Sequence, residues 1–302
     1  MNTNYHQLQK QVLSIADSIY RNQETISDRV KTAFQSVPRH LFIDRYRNYG
    51  ETEWIHVTPE NQEQHLPKLY ADHPLVIFGT DSDFTSNTGT KPVSTISQPS
   101  FVLRMLDLLD IKKGHRIFEV GTGSGWNAAL LSKLTGDTGL VISSEIIPEL
   151  AKSAKEKLHQ LKFNNVKVIE ADAGYGCSDF APYDRVMFTV GAYDLPKVFY
   201  QQVKENGLLL FVLKNKNNSD YLILLRKVQD HFVSEYIMRC GFVPMTGKYN
   251  LAKTDKNTTD FQIPITDNTL KMTVYPSDLN SKPANTRFIL KRSESTFIWS
   301  TH

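Results

Sequence analysis

Three glycines at alternate positions behind a strand-like run are the feature of this sequence most able to do chemistry. The segment His115 to Val120 (HRIFEV) has the composition of a buried strand, and it runs straight into Gly121-Thr122-Gly123-Ser124-Gly125 and then a helical pattern. A glycine loop between strand and helix exposes backbone N–H groups and a helix N-terminus at the carboxyl end of the strand, where open α/β sheets bind their ligands. A dinucleotide site would place its third glycine one position later, for close helix–strand packing beside a pyrophosphate, but Trp126 stands there. Glu119 precedes the loop, Glu145 closes the next strand-like run, and Asp172 closes the one after that. Glu145 stands where nucleotide-binding sheets place a carboxylate that accepts both ribose hydroxyls. Acidic residues closing successive strands are hard to ascribe to chance, although any one of them alone would read as a solvated loop acid.

The elements that must position these residues alternate. Apolar residues at helical spacing (Leu8, Val12, Ile15, Ile19, then Ile26, Val30, Phe34) predict two amphipathic helices between about Tyr5 and Phe34, ending before Pro38. From Asp44 to Pro92 the pattern is irregular, and Gly79 to Pro92 (GTDSDFTSNTGTKP) reads as a mobile surface loop. After Pro99 come a helix to about Leu109, the strand into the glycine loop, a helix to about Leu134, a strand Leu140 to Glu145 and a helix after Pro148. Strands Val166 to Glu170 and Arg185 to Val190, a helix Pro196 to Lys204 and a strand Leu208 to Leu213 follow. Such alternation implies βαβ units and a parallel sheet. Tyr221 to Arg226 and Phe232 to Met238 read as an antiparallel pair finishing the sheet, and the polar tail offers strands near Leu270 to Tyr275 and Thr286 to Leu290. The expected fold is α/β: a doubly wound, mostly parallel seven-stranded sheet with an N-terminal helical cap over residues 1–45 and a C-terminal β-rich extension. Residues 1–250 form the expected catalytic domain, and 251–302 an extension of unknown role.

Bulk properties narrow the classes. A chain of 302 residues with 40% hydrophobic and 22% charged composition has material for a large core. A net charge of +3 without clustering gives no reason to expect a nucleic-acid partner. The start lacks both a cationic and an apolar segment and the longest apolar runs, such as Leu222 to Leu225, are far too short to cross a bilayer, so no membrane partner and a cytoplasmic location are the default expectations. Cys177 and Cys240 offer neither a disulfide framework nor metal-ligand spacing and read as buried thiols; no metal is expected. The oligomeric state is not legible, a monomer being favoured.

The spacing E-x-G-x-G-x-G resembles the S-adenosylmethionine loop of class I methyltransferases, a Rossmann-like fold. That resemblance places Glu119 toward the methionine end of S-adenosyl-L-methionine and Asp172 near its adenine amine. Methyltransferases share this half across many substrates, so specificity must be read elsewhere. VPRHLF (Val37 to Phe42), Tyr70-Ala71-Asp72, TISQP (Thr95 to Pro99), EVGTGSGWNAALL (Glu119 to Leu131), EIIPELA (Glu145 to Ala151), DAGYG (Asp172 to Gly176) and APYDRV (Ala181 to Val186) resemble, in order, the protein-L-isoaspartate O-methyltransferase family. The resemblance covers roughly Ile19 to Gly247. It implies that Ser97 is the catalytic candidate and that Thr95, Ile96, Ser97, Glu119, Gly121, Gly123, Ser124, Gly125, Glu145, Ile146, Asp172, Ala173 and Thr246 line the cofactor pocket. It departs from the family where Lys91-Pro92-Val93-Ser94 replaces a glycine-rich lead into TISQP and where Ala173 follows Asp172.

The implied activity is carboxyl O-methylation of L-isoaspartyl, and by extension D-aspartyl, residues in proteins or peptides, leaving S-adenosyl-L-homocysteine as product. In the family the methyl ester collapses unaided to a succinimide whose hydrolysis returns some normal aspartate, so protein repair is the implied purpose. Two alternatives stay open: a methyltransferase of the same fold acting on a dedicated peptide aspartate, and a catalytically silent S-adenosylmethionine-binding module. For Ser97 a plain helix N-cap before Pro99 is the bland alternative, and Arg39 and His40 read as packing residues.

Overall fold

The computed structural model describes residues 5–19, 25–79, 94–214, 220–247, 271–276, 286–292 and 295–300. In chain order these form α1 Tyr5–Ile19, α2 Asp28–Ser36, β1 Arg45–Tyr46, β2 Ile55–His56, α3 Gln62–Leu69, β3 Leu75–Phe78, β4 Ser94–Ile96, α4 Pro99–Leu108, β5 Arg116–Val120, α5 Trp126–Thr135 and β6 Leu140–Glu145. There follow α6 Pro148–Gln160, β7 Val166–Glu170, β8 Tyr183–Phe188, α7 Val198–Gln202, β9 Val203–Leu213, β10 Asp220–Val228, β11 His231–Cys240, β12 Lys271–Pro276, β13 Thr286–Arg292 and β14 Ser295–Ser300. The contacts divide the chain into two interleaved units, one of residues 1–114, 122–141 and 148–168, the other of 115–121, 142–147 and 169–302.

The first unit is helical around a buried seam. Val12 and Ala16 of α1, Val30, Ala33 and Phe34 of α2, and Leu103 and Leu106 of α4 are all buried, whereas Ile15, expected on the apolar face of α1, is 38% exposed. The stretch read as irregular holds the small β1–β2 pair, β3 paired antiparallel with β4, and α3. Pro67 inside α3 and its polar QEQH start hide that helix from a pattern reading. Of the loop Gly79 to Pro92, all but Gly79 lies outside the described residues.

The ten-stranded sheet, most of it in the second unit, has the order β14-β13-β12-β11-β10-β9-β8-β5-β6-β7. The seven strands β5 to β11 are the expected doubly wound sheet. β5–β8 and β8–β9 pair in parallel, while β9–β10 and β10–β11 are antiparallel. The extension adds β12, β13 and β14, each antiparallel to its neighbour, the last of them unforeseen in the sequence. Leu208 to Leu213 and Tyr221 to Leu225 are buried without interruption, the signature of strands covered on both faces. Phe118, Tyr183, Phe188, Phe199 and Phe211 interlock at 5.1–5.9 Å between ring centroids.

Two boundaries differ from expectation. The helix expected over Pro196 to Lys204 shortens to Val198–Gln202 because β9 begins already at Val203. Between Val203 and Leu208 the chain bulges, with Asn206 at φ 62°, so that Tyr183 faces Val203 while Arg185 faces Leu208. β8 starts earlier than Arg185, at Tyr183, and ends at Phe188, although Thr189 N still donates to the Val120 carbonyl of β5 at 3.0 Å. Cys177 and Cys240, expected buried, are partly exposed, Cys177 in the connection between β7 and β8 and Cys240 at the end of β11.

Candidate active site

Two side-chain arrangements, one in each unit, contain the residues singled out in the sequence. In the first unit β4 carries Thr95 and Ile96, Ser97 follows it, and the loop residues Gly123, Ser124 and Gly125 lead into α5. Gly123 and Gly125 adopt φ of 53° and 83°, a left-handed backbone that glycine reaches without strain. A β-carbon on Gly123 would stand 3.5 Å from Ser94 Oγ, so the loop and β4 are neighbours, while a β-carbon on Gly125 would press on Ala154 and Leu158 of α6 at 3.3–3.4 Å. The Ser124 hydroxyl accepts from Trp126 N at 3.3 Å, turning the chain into α5. Gly123 and Ser124 also line a cavity of about 220 Å³ shared with Phe42, Phe78, Glu149 and Lys157, so the loop backbone is open to a ligand.

Ser97 is held by its main chain alone. Its carbonyl accepts from Arg39 Nη1 at 2.6 Å and the Ile96 carbonyl from Nη2 at 3.4 Å. Beyond it, Asp72 accepts from Gln98 Nε2 at 2.9 Å, from Ser100 N at 2.9 Å and from Ser100 Oγ at 2.7 Å. Gln98 rather than Ser97 is the N-cap residue of α4, and it makes no side-chain cap; the carboxylate of Asp72 satisfies the free N–H of Ser100 instead. The Ser97 hydroxyl has no hydrogen-bond partner among the described residues. Sequence reading missed the clamp itself, although its members, Arg39 in VPRHLF and Asp72 in Tyr-Ala-Asp, lie in motifs already singled out. Both Arg39 and His40 are buried, and burial lowers the His40 pKa to about 4.

In the second unit the end of β6 is tied to the residues following β5 and β7: Gly121 N donates to Ser144 O at 2.9 Å, Ala171 N to Glu145 O at 2.9 Å, and Ser144 Oγ to Ala171 O at 2.9 Å. Glu119 is fully buried and accepts from Ser143 Oγ at 2.5 Å on the adjacent strand. Glu145 is 6% exposed, with Oε1 accepting from Ile147 N at 3.1 Å. Asp172 is half-buried and caps the turn Ala173–Tyr175 by accepting from Gly174 N at 2.8 Å, and Ala173 is buried. Thr246 is exposed, and the next residue, Gly247 at φ 90°, is so close that a β-carbon would overlap the Asp172 carboxylate and stand 2.8 Å from Ile146 Cδ1. That contact brings Ile146, Asp172 and Thr246 into one neighbourhood. Gly121 needs to be glycine for another reason: at φ 95° a β-carbon would stand 2.6 Å from Thr189 Oγ1, whose hydroxyl donates to the Gly121 carbonyl at 2.6 Å.

An adenosyl sulfonium carries no phosphate, and the residues present suit it. The first unit offers an uncharged glycine backbone opening on a cavity, and in the second unit Glu145 closes one strand and Asp172 lies just beyond the end of its neighbour. The strand order is that of the class I S-adenosylmethionine-dependent methyltransferase fold. Comparison with known proteins narrows the class. Residues 11–250 match the sequence profile of the protein-L-isoaspartate(D-aspartate) O-methyltransferase family. The chain is 34% identical over 232 residues to protein-L-isoaspartate O-methyltransferase 1 of Archaeoglobus fulgidus, covering 76% of this chain and 90% of that one. Its counterpart in Syntrophus aciditrophicus is 31% identical over 243 residues, covering 80% and 96%. The chain belongs to the protein-L-isoaspartate(D-aspartate) O-methyltransferase family, whose cofactor is S-adenosyl-L-methionine. A solved protein-L-isoaspartate O-methyltransferase superposes with a TM-score of 0.67 over 97% of this chain and 88% of its own at 22% identity, which speaks for the fold alone. A Plasmodium falciparum structure described as a putative member in complex with S-adenosyl-L-homocysteine superposes at 0.56 over 81% and 99%, at 18% identity.

Proposed function

We propose that this protein transfers a methyl group from S-adenosyl-L-methionine to the side carboxylate of L-isoaspartyl, and D-aspartyl, residues in damaged proteins, as a repair enzyme. The observation that carries it is Ser97: its main chain is clamped by Arg39, its neighbours by Asp72, and its hydroxyl makes no bond among the described residues. An isoaspartyl carboxyl with a pKa near that of Asp, about 4, is already ionised at neutral pH and needs no general base. The bound cofactor supplies an activated methyl on a sulfonium. The task left to the chain is alignment, which is worth on the order of 7–11 kcal/mol. Ser97 orients the acceptor by hydrogen bonding, with Thr95 and Ile96 giving backbone contacts. Gly121, Gly123, Ser124 and Gly125 present bare backbone to the cofactor, Glu145 and Ile146 hold its ribose side, Asp172 and Ala173 its adenine, Glu119 its methionine end, and Thr246 closes the site.

The same reading makes residues 1–250 the catalytic domain, supported by the extent of the family match, with 251–302 as an appended extension. It also places the reaction in the cytoplasm, in keeping with the absence of a disulfide among the described residues; no helix among them is long and apolar enough to cross a membrane. The test is methyl transfer to matched isoaspartyl and aspartyl peptides by wild type, Ser97→Ala and Glu145→Ala. Strong preference for the isoaspartyl peptide is expected, with Ser97→Ala lowering turnover more than cofactor affinity and Glu145→Ala mainly weakening cofactor binding. Equal rates on both peptides would point to a different acceptor, and loss of both parameters in both variants would contradict the division of labour.

A further inference from the structure

Arg39 has an environment that packing alone does not explain. It is fully buried, no carboxylate among the described residues forms an ion pair with it, and its Nε has no hydrogen-bond partner. Burial lowers its pKa to about 9, opposed by Tyr70 and Asp72 nearby. A guanidinium taken out of water without a bonded counter-charge costs stability, and an apolar side chain of similar volume would fill the space at less expense. What an apolar residue lacks is a planar fork of donors with a flat face. Both are used. The two terminal nitrogens meet the consecutive carbonyls of Ile96 and Ser97, and the guanidinium carbon lies 4.8 Å from the centroid of the Trp126 ring. Trp126 is itself buried, donates from Nε1 to the Val37 carbonyl at 3.2 Å, and opens α5 directly after Gly125.

We infer that Arg39 is a positioning residue for methyl transfer, fixing the Ile96–Ser97 main chain against the helix that follows the glycine loop so that the Ser97 hydroxyl keeps one orientation. The inference rests on the function proposed above and adds a residue that acts through Ser97 without touching either substrate. With its carbonyl held by Arg39 and the following Gln98 and Ser100 held by Asp72, Ser97 loses its fixed direction when the Arg39 clamp opens.

The deciding variant is Arg39→Lys, which keeps the charge and the fold but has no planar fork to span two carbonyls. It is compared with Ser97→Ala and the double variant by steady-state methylation of an isoaspartyl peptide, by calorimetry with S-adenosyl-L-methionine, and by hydrogen exchange over residues 94–101. Loss of one charge-assisted bond predicts a kcat roughly tenfold lower in Arg39→Lys, with cofactor affinity unchanged, and faster exchange in the 94–101 segment. In the Ser97→Ala background the lysine substitution is expected to lower kcat no further, because residues acting through one group are not additive. The inference is overturned by an unchanged kcat in Arg39→Lys, by the same fold-loss with and without Ser97, or by unchanged exchange. A wild-type chain that methylates no isoaspartyl peptide refutes the proposed function, and the exchange measurement still decides the clamp.

Discussion

Lys214 offers the most direct test of how the fold holds the strand-end residues. Its ammonium, 3% exposed, lies 2.6 Å from Asp220 Oδ2, and the aspartate is fully buried. Lys214 Nζ also donates to the Phe242 carbonyl at 3.1 Å, and Phe242 N donates to the same Asp220 oxygen at 3.2 Å. From this knot the chain runs on through Val243, whose carbonyl accepts from Gly191 N, and Met245, whose N–H donates to Gly191 O, to Gly247 against Asp172 and Ile146. Lys214→Met keeps the length and removes the charge, leaving Asp220 buried with Phe242 N as its one remaining donor among the described residues. Breaking one half of a buried pair costs about 3–5 kcal/mol, which for a domain of this size corresponds to a fall in Tm of roughly 6–20 °C. Denaturant unfolding at unchanged m-value measures it. The double variant Lys214→Met with Asp220→Leu is expected to regain most of the loss, since well-packed apolar residues replace buried ion pairs at little cost. Affinity for S-adenosyl-L-methionine is expected to weaken in the single variant and recover in the double. A loss below about 1 kcal/mol for Lys214→Met, the range of an exposed pair, would refute the reasoning.

Gly121→Ala forces φ 95° on a residue with a β-carbon and drives that carbon to within 2.6 Å of Thr189 Oγ1 and 3.0 Å of Val190 Cγ1; a loss of about 1–3 kcal/mol is expected. The control Gly241→Ala, with nothing within 4 Å, should unfold at the wild-type midpoint, and equal midpoints for both variants would contradict the strain argument. His40, bonded through Nδ1 to Tyr70 Oη at 2.9 Å, has its pKa lowered from 6.5 to about 4 by burial. The folded state therefore stays neutral while the unfolded chain takes up a proton, so its contribution to stability is complete above pH 6.5 and declines as pH falls toward 4. His40→Gln is expected to flatten that part of the stability profile measured by denaturant titration, and an unchanged slope would show that other groups govern it.

What could be read from the sequence alone is what local pattern encodes. β6 and β7 end at the expected residues, and β9 and β10 are visible because a strand covered on both faces must be apolar along its length. α1 and α2 are visible because a helix with one buried face repeats its apolar residues every three to four positions. The alternate glycines of the loop are visible because positive φ selects for the residue without a β-carbon, and the acidic residues at or near the ends of β5, β6 and β7 stand out by their spacing from it. Short or interrupted elements were hidden: α3 behind Pro67, the bulge at Asn206 in β9, the early start of β8. Tertiary structure alone decided the partners. Arg39 meets a carbonyl 58 residues away at Ser97, Asp72 satisfies α4 across 28 residues, and Gly247 lies against Asp172. A buried polar group needs a partner wherever it lies, and only the folded chain determines which residue is close enough and suitably oriented to serve. The sequence therefore disclosed where a ligand could be held, and the packing disclosed what holds the Ile96–Ser97 main chain.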